Sequence, residues 1–182
     1  MSQAPEATQV NIASLYVGDL KPDVNETILW SVFSPYGQVL SIKVCRDSQT
    51  RISLGYAYVN FRTAQEAEKA MESINFASIE GKSCRVMWSM RDPNRRKLGI
   101  GNVIIKNIDT LLDSKSLYVA FLTYGPILSC KIAIDEYGLG KGYGFIQFYN
   151  EMDAENACTK TNGVVFMKKK LIVTKFIPKS AR

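Results

Sequence analysis

The chain has 182 residues, 46% of them hydrophobic and 22% charged, with a net charge of +6 and no histidine. That length has room for one large domain or two of about 90 residues, each able to bury a core. Without histidine the commonest general base and the commonest metal ligand are missing, and no apolar run approaches the roughly 20 residues of a membrane span.

The segment from Met1 to Asn11 has neither a basic start nor an apolar stretch, so it does not read as a signal peptide, and a soluble intracellular protein is expected. Cys45, Cys84, Cys130 and Cys158 are scattered without a Cys-x-x-Cys spacing. They are expected to be small buried apolar residues rather than zinc ligands or a redox pair. The basic surplus is uneven. Residues 12–88 carry eight basic and eight acidic side chains, residues 89–101 carry four and one, and residues 168–182 carry six and none. Charge placed along such segments suits a polyanion threading past two near-neutral modules, as well as plain solubility.

In chain order, Ser14 to Asp19 alternates as a strand. Val24 to Phe33 spaces Ile28, Leu29 and Phe33 as a helix, with Asp23 as its N-cap and Gly37 just past its end. Leu40 to Cys45 is a second strand, and Leu54 to Phe61 a third. Ala64 to Ile74 is a helix with Ala67, Ala70, Met71 and Ile74 inward, and Ser83 to Trp88 is a fourth strand. The third strand is unusual: its two-residue period puts Ala57, Val59 and Phe61 on one face and Tyr56, Tyr58 and Asn60 on the other. Two neighbouring rings on an outer face ask for a partner, and Gly55 before them is expected to leave room for a flat ligand.

The pattern then repeats. Phe33-Ser34-Pro35-Tyr36-Gly37 returns as Phe121-Leu122-Thr123-Tyr124-Gly125, Lys43 as Lys131, the Leu54 octamer as Lys141 to Phe148, and Ala67-Glu68-Lys69-Ala70 as Ala154-Glu155-Asn156-Ala157. An offset of 87 or 88 residues means two copies of one small domain. The second copy reads as Val103 to Lys106, Ser114 to Thr123, Leu128 to Ile134, Gly142 to Tyr149, Glu151 to Thr161 and Lys170 to Lys175. The order is βαββαβ twice, an α+β ferredoxin-like fold in which two helices cover one face of a four-stranded sheet and leave the other open.

The octamers, with Leu15-Tyr16-Val17-Gly18-Asp19-Leu20 on the first strand, make the chain resemble the RNA recognition motif family over nearly its whole length. Ala13 to Leu20, Ser53 to Phe61, Met87-Trp88-Ser89 with Arg91-Asp92-Pro93, and Gly101-Asn102 with Ile105-Lys106-Asn107 look like the first two domains of the cytoplasmic poly(A)-binding proteins. Leu54, where a basic residue is usual, is itself a mark of that subgroup. The resemblance divides the chain into a flexible N-terminus (1–11), a first RNA recognition motif (12–88), a basic linker (89–101), a second motif (102–177) and a basic tail (178–182). It implies binding of single-stranded RNA, most often poly(A), in the cytoplasm and also the nucleus, with roles in mRNA stability and translation.

Tyr16, Tyr56, Tyr58, Tyr143 and Phe145 would stack on bases. By the resemblance, Asp47, Trp88, Ser89, Lys106, Asn107 and Ser129 read base edges, and Arg91, Arg95, Arg96, Lys97, Lys141 and Lys175 meet phosphate. A scaffold protein of translation initiation would dock on the helical face of the second domain, near Asp113, Glu151, Asp153 and Glu155. Members of the family carry further domains, so a longer protein is expected. Ile104 replaces an aromatic and Met90 an amide of the family, and the first domain is therefore expected to carry more of the affinity.

Other readings stand beside these. Tyr36 and Tyr124 suit packing, Trp88 suits closing a core edge, Asp47 and Asp135 suit shaping loops, and Lys168-Lys169-Lys170 suits a hairpin turn. The same double module could take uridine-rich RNA, or serve mainly as a protein-interaction module. Glu66, Glu68 and Glu72 lie along one exposed helix with no nucleophile elbow, phosphate loop or metal cluster nearby in sequence, so no catalytic residues, cofactor or metal are expected.

Overall fold

The computed structural model describes residues 11–89 and 98–179. Met90, Arg91, Arg95, Arg96 and Lys97 therefore lie outside the described residues. The chain divides into two compact units with the break after Ser89.

The first unit runs β1 (Ala13–Gly18), α1 (Glu26–Phe33), β2 (Val39–Arg46), β3 (Ser53–Phe61), α2 (Ala64–Ile74), a small hairpin of β4 (Ser78–Ile79) and β5 (Lys82–Ser83), then β6 (Arg85–Trp88). The second runs β7 (Asn102–Lys106), α3 (Ser114–Leu122), β8 (Ile127–Ile134), β9 (Gly140–Phe148), α4 (Glu151–Thr161), the hairpin β10 (Val165–Phe166) and β11 (Lys169–Lys170), then β12 (Ile172–Lys175). The sheets have strand orders β2-β3-β1-β6 and β12-β7-β9-β8. Every pairing in them is antiparallel. Each unit is thus the expected βαββαβ arrangement.

Alternation decides what faces the helices. Leu15, Val17, Ala57, Val59, Phe61 and Val86 point to one side of the first sheet and are buried there with Leu29 and Phe33 of α1 and Ala67, Ala70 and Ile74 of α2. Burying each of the larger side chains contributes about 1.5–3 kcal/mol. Val103, Ile105, Ile146 and Phe148 meet Leu117, Phe121, Ala154 and Ala157 in the same way in the second unit. The inward set uses one residue in two, so Tyr16, Tyr56 and Tyr58 must sit on the opposite face, half-exposed.

Several local expectations change. Helix α1 starts at Glu26 and is capped by Asn25, not Asp23; the Asn25 side chain accepts the Ile28 N–H at 3.0 Å. Val24 precedes the cap and joins Leu29 in the core, the two positions of a hydrophobic staple, which is why its spacing looked helical. A 3₁₀ turn, Ser34–Tyr36, separates the end of α1 from Gly37. Ser83 and Lys170 belong to the small hairpins rather than to the last strands, with Lys168 at the second hairpin's turn. Only Cys84 and Cys130 are buried; Cys45 and Cys158 are half-exposed, because Cys45 stands on the open face of β2 and Cys158 on a flank of α4.

Gly55 has a structural task. Its φ is +83°, in the left-handed region, where a side chain would be strained. Its carbonyl accepts the N–H of Leu20 at 2.9 Å, pinning the segment after β1, and Gly142 accepts from Ile108 at 3.1 Å with φ of +82°. The octamer glycine fixes the strand's entry, and a Cβ at Gly55 would meet only Leu20 O, at 3.4 Å.

Candidate nucleic-acid interface

The register builds the open face of the first sheet row by row. Tyr16 of β1 stands opposite Tyr58 of β3 and Met87 of β6, and Lys43 of β2 stands on the far side of Tyr58. The rings of Tyr16 and Tyr56 are 5.6 Å apart and stacked at 25°, while Tyr58 meets both edge-on, at 6.0 and 6.1 Å. The guanidinium carbon of Arg85 lies 5.7 Å from the centre of the Tyr16 ring, within cation–π reach. One row further on, Ser14 Oγ donates to Asn60 Oδ1 at 2.6 Å and Asn60 Nδ2 donates to Ser41 Oγ at 2.9 Å. The first face is therefore a cluster of three tyrosine rings bordered by a polar chain. The Cys45 thiol beside Tyr56 is the main cause raising that phenol above its usual range, with burial second, so it stays neutral and able to donate.

The second sheet repeats the layout with other residues. Lys131, Phe145, Ile104 and Thr174 form one row; Tyr143, Lys106 and Ile172 form another; Ser129, Gln147 and Asn102 form a third. Tyr143 and Phe145 meet edge-on at 5.8 Å. Ile104 stands where the first sheet has Tyr16. The ring missing there is found elsewhere: Phe176, just beyond β12, lies 5.1 Å from Phe145 in an edge-on pair at 69°.

Of the residues expected to contact RNA, the five rings gather on the two open faces, and Lys106 and Ser129 lie on the second. Ser89 lies at the end of β6, its N–H donating to Ser14 O at 3.0 Å. Lys141 is exposed. Two of them lie away from the ring rows. Lys175 stands opposite the buried Val103, on the helical side of its sheet, and its ammonium is held by Glu151 at 2.7 Å and Glu155 at 2.8 Å. Those two acceptors raise its pKa, so it is a charged clasp on α4 and not a cation of the open face. Trp88 stands opposite the buried Leu15 and packs half-buried against the core, in keeping with closing a core edge.

Two others already have local duties. Asp47 Oδ1 accepts the N–H groups of Thr50 at 2.7 Å and Gln49 at 3.0 Å and the Thr50 hydroxyl at 3.0 Å. The Thr50 N–H is the main cause holding its carboxyl below the usual range. Asp135 shapes the matching loop of the second unit through the N–H groups of Tyr137 and Leu139. Asn107 adopts a left-handed φ of 59° and donates its amide to Lys170 O at 2.8 Å. Tyr36 packs on the first core, and Tyr124 lies 5.9 Å from Phe121.

The sequence reading passed over Lys43, Lys131, Arg85 and Phe176. For the two lysines the signal was available, since they occupy the same repeat position and the same strand face as the aromatic rows. Phe176 carried no repeat signal, because Ser89 holds the equivalent place in the first unit. Among the described residues, no group of three or more His, Cys, Asp or Glu side chains is placed to hold a metal ion.

The family model for the RNA recognition motif matches twice, at residues 15–85 and 103–172. Among solved structures, the chain is similar to the Sxl-lethal protein/RNA complex, at 23% identity and a TM-score of 0.53 over 90% of this chain and 99% of that one. It is also similar to Sex-lethal RNA recognition domains 1 and 2 from Drosophila melanogaster, at 25% identity, TM-score 0.43, and 89% and 98% coverage. The first two domains of the yeast poly(U)-binding protein Pub1 give 26%, 0.41, and 88% and 97%.

Proposed function

Because the chain belongs to the RNA recognition motif family, in two copies that span most of its length, we propose that it binds single-stranded RNA on its two open sheet faces and prefers adenosine tracts. The observation that carries the reading is the contiguous cluster of Tyr16, Tyr56 and Tyr58, half-exposed on a rigid sheet whose other side is the core. Unstacked bases laid on such rings gain about 1–3 kcal/mol each, independent of sequence. Lys43 and Lys131, in the ring rows, and exposed Lys106 and Lys141 offer charge to the backbone, and Arg91, Arg95, Arg96 and Lys97 add to it from the linker.

The adenosine preference is supported by the sequence resemblance around both octamers and the linker, with Lys106, Asn107, Ser129, Ser89 and the second oxygen of Asp47 as base-edge groups. The same resemblance supports a role in mRNA stability and translation in the cytoplasm. It also supports docking of a translation-initiation scaffold on the helical side of the second unit, where Val119 and Met152 are exposed.

A homopolymer competition at fixed salt tests the base preference. Unlabelled oligoadenylate is expected to displace labelled oligoadenylate at much lower concentration than oligouridine does. Equal displacement removes the adenosine preference and leaves a general single-strand binder, whereas weak binding to every homopolymer removes RNA as the main ligand.

A further inference from the structure

The open faces differ in where their third ring stands. In the first sheet it is Tyr16, in the middle of β1. In the second sheet that position is Ile104, and Phe176 continues the outward alternation of β12 after Ile172 and Thr174. Its N–H donates to Asn102 O at 2.8 Å, extending the β12–β7 pairing by one residue and placing its side chain in the row of Asn102, Gln147 and Ser129. The segment is held from behind as well. Gly99 has φ of +67°, and a Cβ there would come within 2.5 Å of Pro178 Cδ and 3.2 Å of Phe176 O, so the chain after β12 lies directly on that turn. Phe176 is half-buried, and its ring forms a 69° corner with Phe145.

We propose that Phe176 is the third stacking ring of the second sheet, and that the base it receives lies at the end of β12, beside the amides of Asn102 and Gln147. This rests on the RNA-binding reading above. A planar base fits such a corner with its flat face on one ring and its edge toward the other. In the first sheet the same row is closed by the Ser14–Asn60–Ser41 chain and ends at Ser89, which has no ring to offer. In the second, one amide edge borders the ring: Gln147 Nε2 points to Ile100 O at 3.5 Å, turning its carbonyl oxygen toward other donors. An exocyclic amino group is the matching donor, which adenine and cytosine have and uracil lacks. The two units therefore place their bases at different points of the same sheet layout, and the second is not merely a weaker copy of the first.

The test is equilibrium binding of fluorescein-labelled oligoadenylate to the full chain at fixed salt, with thermal melts of every variant. Phe176→Leu keeps a large apolar side chain against Phe145 and removes only the flat ring; it is expected to weaken binding about 5- to 150-fold, and Phe176→Tyr to restore it. A lowered melting temperature with unchanged affinity would make Phe176 a packing residue and overturn the proposal. Phe176→Trp gives a readout independent of stability: its added emission should be quenched by the RNA, relative to the wild-type signal from Trp30 and Trp88, and an unquenched indole overturns the proposal too. Loss of binding in Tyr56→Ala/Tyr58→Ala with none in Phe176→Leu leaves the RNA reading standing and removes this site alone. Failure of the wild type to bind any homopolymer removes the RNA reading itself.

Discussion

Replacing Tyr56 and Tyr58 by alanine puts the first platform to the sharpest test. Each ring that carries a base is worth about 1–3 kcal/mol, so removing two costs about 2–6 kcal/mol, or roughly 30-fold to 10⁴-fold in Kd. The rings touch each other and Tyr16, so the double variant should lose less than the sum of the singles. Stability pays a smaller part. Three ring contacts disappear, at about 0.5–1.5 kcal/mol each, while Ala57, Val59 and Phe61 on the reverse face keep their full burial. A melting temperature lower by roughly 6–36 °C is expected, from a domain that remains folded at 10 °C. Binding measured by anisotropy at that temperature, with circular dichroism on the same samples, separates the two effects. A folded double variant that binds oligoadenylate within threefold of wild type would refute the assignment of this face to RNA.

The reassignment of Lys175 predicts that Lys175→Ala leaves the salt dependence of binding unchanged, whereas Lys141→Ala lowers the slope of log K against log salt by about 0.7. A shallower slope in Lys175→Ala would return that residue to the phosphate path. Cys45 stands beside Tyr56, so bound oligoadenylate should slow its alkylation while leaving Cys158, on the helical side, unprotected; peptide mass spectrometry reads both. Cys84 should stay unmodified in either state, since burial pushes its thiol up to about 11. Asp113 caps α3 by accepting the Ser116 N–H at 2.7 Å, and Asp113→Ala should cost about 0.5–1 kcal/mol at neutral pH. Its bonds to Ser116 hold the folded-state pKa below the ordinary 3.8, so the difference from wild type should persist above that value and vanish as pH falls through the lowered one. Chemical denaturation from pH 7 down to pH 2 measures it.

The fold was legible because its signals are periodic and doubled. Helices Ala64–Ile74 and Glu151–Thr161 have the expected ends, and the first is closed by a capping box between Thr63 and Glu66. Where two short polar residues competed, as Asp23 and Asn25 did, periodicity had no means to choose between them. The rings of β3 and β9 were legible for the same reason as the core behind them: one alternation fixes both. Side of sheet was harder at strand ends. Trp88 and Lys175 were assigned by the resemblance, which carries no register, and the register turned both toward the helices. Phe176 lies one residue past its strand, where alternation continues although the strand pattern has stopped.

The Glu151–Lys175–Glu155 clasp has an electrical consequence for the second unit. Glu151, Glu155, Asp113 and Asp153 against Lys175, Lys115 and Lys160 leave the helical layer with one net negative charge, while Lys106 and Lys131 stand on the sheet layer. The unit is thus polarised across its thickness, and a polyanion drifting toward it feels a torque before any ring is within reach. Encounters on the sheet side are favoured over those on the helical side. By holding Lys175 on the helical side, the clasp keeps that ammonium away from the sheet layer.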